Sequence, residues 1–161
     1  MDKLKYVLIG SILCFGALLF IPACLKNSEP CTPNTPASEA TAISNYAAAN
    51  SIYGTFHSSG LYYEVTNPGS GATPTASSMV YVTYMGKLTN GTIFDQQTVA
   101  ANTGWTLGSL IPAWQIGLSL IQKGGSIKLV VPSSMAYGCT GVGNIPANAI
   151  LFFDITLVDV Q

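Results

Sequence analysis

Asp95 is the residue whose chemistry is least expected from its surroundings, because it is a carboxylate that directly follows an apolar strand pattern. Ile93 and Phe94 precede it, so an acid stands where a core residue is expected. Burying a charge is costly unless the charge has partners. Two explanations stay open from this stretch: the strand ends at Asp95 and the carboxylate faces water, or the site needs an acceptor there.

The sequence contains few residues that could form a metal site or a phosphate-binding site. The single histidine, His57, stands in FHSSG, a setting more typical of a surface or capping residue than of a metal ligand. The segment GSG at 69–71 lacks the lysine and the following helix of a phosphate-binding loop. We therefore expect no metal and no cofactor. All six basic residues are lysines and the net charge is −1, so nucleic-acid binding, which needs a basic face, is not expected.

A β-hairpin is predicted to position Asp95. Apolar and polar residues alternate through residues 80–88, which is the pattern of a half-buried strand. Asn90-Gly91 then supplies the two residue types that tolerate the positive φ of a tight turn. The chain doubles back at this point, and the returning strand carries Asp95.

The other elements predict an α+β fold with a mostly antiparallel sheet. A short helix begins at Ile111-Pro112, because proline is well placed in a first turn and apolar residues follow at helical spacing. Residues 133–149 form a long glycine-containing loop, and loops of that length are usually functional. Further strands are predicted at 61–66, 127–131 and 150–160.

The N-terminus is predicted to be an export signal covering residues 1–23. Two lysines precede an uncharged apolar run at 6–21, which is shorter than the ~20 residues of a spanning helix. Ile21-Pro22-Ala23-Cys24 resembles a bacterial lipobox, in which the cysteine receives lipid. The alternative is an ordinary signal peptide followed by a chance cysteine. We expect lipidation at Cys24, and hence a protein anchored to the bacterial envelope, on the periplasmic or outer-membrane side.

Two cysteines remain after export, because Cys14 leaves with the signal and Cys24 carries the lipid. Thiols left over in an exported protein often pair. We predict a disulfide between Cys31 and Cys139 that holds the N-terminal segment on the domain; the alternative is two separate thiols. The exported chain keeps four lysines and six acidic residues, a net charge of about −2.

The segment after the signal is predicted to be a tether followed by one helix. Residues 24–37 are rich in proline and small polar residues, a composition that does not bury enough apolar surface to order itself. Residues 38–59 hold a helix capped by Ser38 and stopped near Asn50, followed by a linker. Its narrow apolar stripe packs on the domain at 60–161; a dimer contact is the alternative.

Five segments, in this order, resemble the FKBP-type peptidyl-prolyl cis/trans isomerases, the macrolide-binding immunophilins: VYVTYMGKLTNGTIFDQQ, LIPAWQIGL, KGGSIKLVVP, MAYG and NIPANAILFFDITLVDV. The resemblance covers about residues 60–161. It implies a strongly curved antiparallel sheet wrapped around one short α-helix, with the N-terminal helix as an addition. It also implies an enzyme that rotates X–Pro bonds in proline-containing polypeptides, without a cofactor, and that macrolide immunosuppressants inhibit.

The resemblance also implies a proline pocket. Trp114 corresponds to the pocket floor, Tyr137 to a phenol that binds a ligand carbonyl, and Leu110-Ile111 to the segment whose backbone binds substrate. Asp95 corresponds to a carboxylate beside the pocket, but the arginine that often follows it in the family is absent here, so its partner stays open. The implied catalytic residues are Asp95, Tyr137, Trp114, Phe94 and Phe153, and the implied substrate-binding residues are Tyr84, Trp105, Leu110, Ile111 and Ile145.

Isomerisation of a prolyl bond breaks no covalent bond, so it requires no nucleophile. This agrees with the sequence, which shows no catalytic triad. The predicted function is therefore a prolyl isomerase acting on exported proteins. The alternative is an envelope chaperone or peptide-binding module with little or no turnover. A third reading, from a different class, is a lipoprotein that binds glycan through exposed aromatic residues.

Overall fold

The computed structural model describes residues 31–161, which form a seven-stranded antiparallel sheet and two α-helices. The predicted α+β class is confirmed. The predicted signal peptide at 1–23 and the lipidation site at Cys24 lie outside the described residues. Neither helix within residues 31–161 has the length and apolar character needed to cross a membrane.

The strands follow the order β1-β2-β6-β7-β3-β4 across the sheet, and β5 pairs with β3. The two helices are α1, Pro36–Ala49, and α2, Pro112–Ser119. Short 3₁₀ turns lie at Ala100–Asn102, Leu107–Ser109 and Ser133–Met135. The strands are β1 Thr55–Phe56, β2 Tyr62–Asn67, β3 Met79–Leu88, β4 Ile93–Gln97, β5 Trp105–Thr106, β6 Ser126–Val131 and β7 Leu151–Val160.

The β3–β4 hairpin turns at Gly91, which has φ of +90°, a value that favours glycine. Its N–H donates to the Leu88 carbonyl at 2.9 Å. The register shifts further along: Gly86 lies opposite Asp95, whereas Lys87 lies opposite Ile93. Phe94 therefore has no cross-strand partner, and this β-bulge changes the direction of its side chain relative to a regular strand.

The two faces of the sheet bury different residues, as the period-two alternation of β6 and β7 requires. The main core, between the sheet and α2, takes the odd-numbered residues of both strands, such as Leu129 and Phe153. The opposite face buries Val130 and Phe152 beneath Ile43 and Ala47 of α1. The apolar stripe of α1 thus packs on its own domain.

The N-terminal segment is more ordered than its composition predicts. Helix α1 begins at Pro36 and its cap is Thr35, three residues before the predicted cap Ser38, because the Thr35 side chain accepts the Ser38 N–H at 3.2 Å and proline suits the first turn. Residues 55–56, inside the predicted linker, pair with β2 as β1. This pairing gives hydrogen-bond partners to backbone N–H and C=O groups that would bond to water in an unstructured linker.

Cys31 and Cys139 are joined by a disulfide, with 5.5 Å between their Cα atoms. The bond links the segment before α1 to the loop that connects β6 with β7. It closes a stretch of 108 residues, so it connects two parts of the chain that sequence distance leaves far apart.

Candidate active site

A cavity of about 230 Å³ lies between α2, the sheet and the loop after β6. Most of its wall is aromatic or aliphatic, with one carboxylate and a few hydroxyl groups. Five separate parts of the chain contribute, and none of them forms the cavity alone: β3, β4, the segment from β5 into α2, the loop between β6 and β7, and β7. The lining residues are Tyr84, Asp95, Trp105, Ser109, Leu110, Ile111, Trp114, Tyr137 and Phe153.

Trp114 is the centre of an aromatic cluster in this cavity. It lies in α2 with 4% of its surface exposed. The Tyr84 and Phe153 rings meet it edge to face, with centroids at 5.0 Å and 5.4 Å, and the Trp105 ring lies at 6.3 Å. Such edge-to-face pairs are favoured by the ring quadrupoles. The floor of the cavity is thus made of rings that pack on one another.

The partner of Asp95 is Tyr84. The phenolic hydroxyl of Tyr84 donates to Asp95 Oδ2 at 2.6 Å. Burial, together with the hydrogen bond to the nearby carboxylate, raises the pKa of Tyr84 well above its usual value. The hydroxyl therefore stays protonated at neutral pH and acts as a donor. Asp95 itself is exposed at the rim of the cavity.

Tyr137 lines the same cavity from the loop between β6 and β7. Burial raises the pKa of its phenol, and the Asp95 carboxylate raises this pKa further. A protonated phenol at the wall of an apolar cavity is a directed hydrogen-bond donor. Tyr137 can therefore hold the carbonyl oxygen of a bound molecule.

The backbone at Leu110 and Ile111 forms the entry to α2. Ile111 precedes the helix with an extended conformation, φ −58° and ψ 148°. No residue in the part of the chain that the structure describes accepts a hydrogen bond from its N–H. The Gln115 side chain donates to the Leu110 carbonyl at 2.7 Å and to the Gly108 carbonyl at 3.2 Å, which fixes this segment on the helix.

Eight of the ten implied pocket residues line this cavity. Phe94 and Ile145 instead line a neighbouring cavity, which shares Asp95 and Tyr137 with the first. Phe94 still supports the main wall, because its ring packs on the edge of Phe153 at 5.6 Å. Ile145 belongs to the buried core.

One lining residue, Ser109, is absent from the sequence-based set. Its hydroxyl donates to the Thr106 carbonyl at 2.7 Å within the turn before Leu110. Its position beside Leu110-Ile111 is the signal that could have identified it. It was missed because a serine lacks the aromatic or aliphatic character used to select pocket residues.

Comparison with known proteins now identifies the family. A family model described as FKBP-type peptidyl-prolyl cis-trans isomerase matches residues 71–158. The chain belongs to this FKBP-type family. The resemblance predicted from five sequence segments is therefore confirmed, and the matched FKBP-type region contains all ten of the implied pocket residues.

Similar FKBP-type proteins are named FkpA. The chain is 45% identical over 105 residues to FkpA of Escherichia coli strain K12, a match that covers 65% of this chain and 39% of that protein. It is 42% identical over 104 residues to FkpA of Aeromonas hydrophila, covering 64% and 39%. The chain thus spans about two fifths of the length of these curated relatives.

Solved FKBP-type structures share the fold. The crystal structure of FkpA from Escherichia coli matches with a TM-score of 0.68 and 37% identity, over 78% of this chain and 61% of that one. A peptidyl-prolyl cis-trans isomerase from Pseudomonas syringae matches with a TM-score of 0.65 and 30% identity, over 81% and 98%. The predicted FKBP-like architecture agrees with both structures.

Proposed function

We propose that this chain accelerates cis/trans isomerisation of X–Pro bonds in exported polypeptides by non-covalent binding. One observation supports the proposal most strongly: the rings of Tyr84, Trp105, Trp114, Tyr137 and Phe153 converge on a single cavity. Its apolar character suits a proline ring, and its hydroxyl groups suit the flanking carbonyls. Convergence on one concavity also argues against a glycan-binding surface of dispersed exposed aromatics.

Prolyl isomerisation requires only a modest lowering of the rotational barrier. The barrier to prolyl rotation is ~20 kcal/mol because the amide loses resonance as it twists. The planar amide is more dipolar than the twisted one, so an apolar cavity disfavours the planar state relative to the twisted one. A thousandfold acceleration needs only ~4 kcal/mol.

Each wall of the cavity has a role in this proposal. Trp114, with Phe153 and the supporting ring of Phe94, seats the pyrrolidine ring. The Tyr137 hydroxyl and the Ile111 N–H hold the carbonyl oxygens on either side of the rotating bond. These groups fix the ends of the substrate while the amide between them turns.

Asp95 acts electrostatically in this proposal, through its negative charge at the rim. Its hydrogen bond with Tyr84 orients the carboxylate, which then stabilises the carbonyl carbon as the amide twists. Proton donation is not required, because rotation about the amide bond breaks no covalent bond. The mechanism therefore contains no proton transfer.

A protease-coupled assay on a prolyl peptide tests the proposal with the full chain. We expect acceleration by the wild type that is abolished by a macrolide and reduced at least about tenfold in Trp114→Leu, which removes the ring floor. Tyr53→Ala is the control, since Tyr53 is 82% exposed and does not line the cavity. A folded wild-type chain that gives no acceleration would contradict the isomerase and favour a peptide-binding module.

We also propose that residues 1–23 direct export and that Cys24 carries a lipid. The support is the sequence pattern alone, a basic start, an apolar run and a small residue before Cys24. Labelling of bacteria with a radioactive fatty acid tests this proposal. Wild-type protein should take up label and partition with membranes, whereas Cys24→Ser should not; equal labelling of both would contradict it.

A further inference from the structure

Glu39 is a buried carboxylate outside the cavity, and its contacts are unusual. It lies in the first turns of α1 with 5% of its surface exposed. Oε2 accepts the backbone N–H of Ser133 at 2.7 Å, and Oε1 accepts the Ser133 hydroxyl at 2.7 Å. Asn34 donates its side-chain amide to Oε1 at 3.0 Å. No lysine within residues 31–161 pairs with this carboxylate, so hydrogen bonds alone compensate its burial.

Ser133 needs this external partner. It begins the 3₁₀ turn Ser133–Met135, whose first N–H groups have no acceptor inside the turn. The preceding residue is Pro132, which provides no side-chain cap. Glu39, 94 residues earlier in the chain, therefore caps this turn by accepting the Ser133 N–H. At the start of a helix this is usually done by a neighbouring serine or aspartate.

The capped turn leads directly to Tyr137. The Ser133 carbonyl accepts the Gly138 N–H at 2.9 Å and the Ala136 N–H at 3.1 Å, so both neighbours of Tyr137 are tied to Ser133. Ser133 is thus held on one side by Glu39 and holds the Tyr137 segment on the other. A shift of Ser133 would be transmitted to the phenol in the cavity.

The same N-terminal segment contacts this loop at two further points. Cys31 is bonded to Cys139, two residues after Tyr137. Asn148 donates its side-chain amide to the Thr32 carbonyl at 3.4 Å and accepts the Asn34 N–H at 3.3 Å. The loop that carries Tyr137 is therefore fastened from outside the sheet, by residues 31–39.

We propose that Glu39 is a positioning residue for the isomerase site, which acts by fixing Ser133 and, through it, the hydroxyl of Tyr137. This inference rests on the proposed function, in which Tyr137 holds a substrate carbonyl. It assigns helix α1 a role in the site that its position on the opposite face of the sheet does not suggest. A hydrogen-bonding group loses its effect when it is displaced by about 1 Å, which costs up to ~100-fold in rate.

A double-mutant cycle tests the inference in the full chain. We expect Glu39→Ala to lower kcat/KM by roughly 10- to 100-fold, since the Tyr137 loop loses its anchor. In a Tyr137→Phe background the same substitution should change kcat/KM less than about twofold, because the group that it positions is already gone. An equal fold-loss in both backgrounds would overturn the inference.

Two matched variants separate positioning from a general loss of stability. Ile43→Ala removes a fully buried side chain from the same helix, in the cluster with Val130 and Phe152, and leaves both Glu39–Ser133 hydrogen bonds in place; its kcat/KM should stay near the wild-type value at a temperature where the variant is folded. Glu39→Gln keeps an acceptor for the Ser133 N–H and should remain within about threefold of wild type. Loss of activity in Ile43→Ala equal to that in Glu39→Ala would contradict positioning.

Hydrogen exchange supplies a readout that does not depend on activity. The Gly138 N–H bonds to Ser133, whose carbonyl no substitution above removes. Its protection should fall in Glu39→Ala and persist in Ile43→Ala; unchanged protection in Glu39→Ala would overturn the inference. A wild-type chain without isomerase activity would overturn the proposed function, whereas wild-type activity that Glu39→Ala leaves intact would overturn only this inference.

Discussion

Tyr84 donates its hydroxyl to Asp95 across the β3–β4 hairpin, at 2.6 Å. The two residues are diagonal neighbours, because Gly86 lies opposite Asp95 and Tyr84 lies two residues before Gly86 on the same face. The carboxylate at the end of an apolar strand thus has a specific partner on the adjacent strand.

Loss of the Tyr84 hydroxyl should lower activity measurably while the chain stays folded. In Tyr84→Phe, Asp95 is exposed and can bind water instead, so the free energy of unfolding should fall by about 1 kcal/mol or less. The carboxylate loses its orientation, and we expect kcat/KM to drop roughly fivefold, which corresponds to about 1 kcal/mol in the barrier. Tyr53→Phe, at an exposed position, is the matched control. Equal kinetics in the two variants would contradict this role of the hydroxyl.

The raised pKa values of Tyr84 and Tyr137 predict the behaviour at alkaline pH. Each folded-state pKa lies above the unfolded value of about 10, so the unfolded chain releases its proton first. The stability that these groups contribute is fully present below about pH 10 and is lost as the pH rises through the folded-state pKa.

Titration of the phenols, followed by tyrosinate absorbance, tests whether the folded-state pKa values lie above 10. The wild type should retain a fraction of phenols that ionise only well above pH 10, and Tyr84→Phe should reduce that fraction. Unfolding measured by urea at several alkaline pH values should show a shallower decline for Tyr84→Phe. Phenols in the wild type that all titrate together near pH 10 would refute the prediction.

Gly86 should not tolerate a side chain. A Cβ there would lie 2.7 Å from Phe94 Cζ, closer than real contacts allow, and 3.0 Å from Phe153 Cε1, tighter than most real contacts. We expect Gly86→Ala to lower the free energy of unfolding by about 1–3 kcal/mol, as overpacking in cores does, and to lower kcat/KM by moving the Phe153 wall. Urea denaturation and the prolyl assay measure the two effects.

A second substitution tests the cause of this effect. Phe94→Leu removes ring atoms at the point of overlap, so it should recover part of the stability of Gly86→Ala, although alone it is destabilising. If the two substitutions instead add without interaction, the overlap with Phe94 is not the source of the loss.

The Cys31–Cys139 disulfide should stabilise the folded chain, because it closes a long loop. Replacing both cysteines by alanine should lower the free energy of unfolding by about 2–4 kcal/mol. Reductant should bring the wild type to the same stability and leave the double variant unchanged. Alkylation read by mass spectrometry is a direct check: labelling of Cys31 and Cys139 without prior reduction would show that the bond does not form.

The sequence alone was enough to predict the elements that rest on local patterns. Alternation in residues 80–88 and Asn90-Gly91 predict the hairpin, and the apolar spacing after Pro112 predicts α2. The order of five segments was enough to identify the family, and through it eight residues that line the cavity. The hairpin and α2 depend on neighbours within a few residues, so the sequence of a single chain is enough to predict them.

Tertiary structure alone decided which distant groups meet. No pattern near Asp95 indicates Tyr84 as its partner, because that contact depends on hairpin register and on a bulge at Phe94. Glu39 reads as an ordinary first-turn acid, yet it is buried against Ser133. The sequences of β1 and of residues 31–35 predict a polar linker. In the structure β1 pairs with β2, and residues 31–35 contact the domain through hydrogen bonds and the disulfide. Each of these outcomes depends on contacts between segments that are far apart in the chain. The energies of such contacts cannot be inferred from the composition of either segment alone.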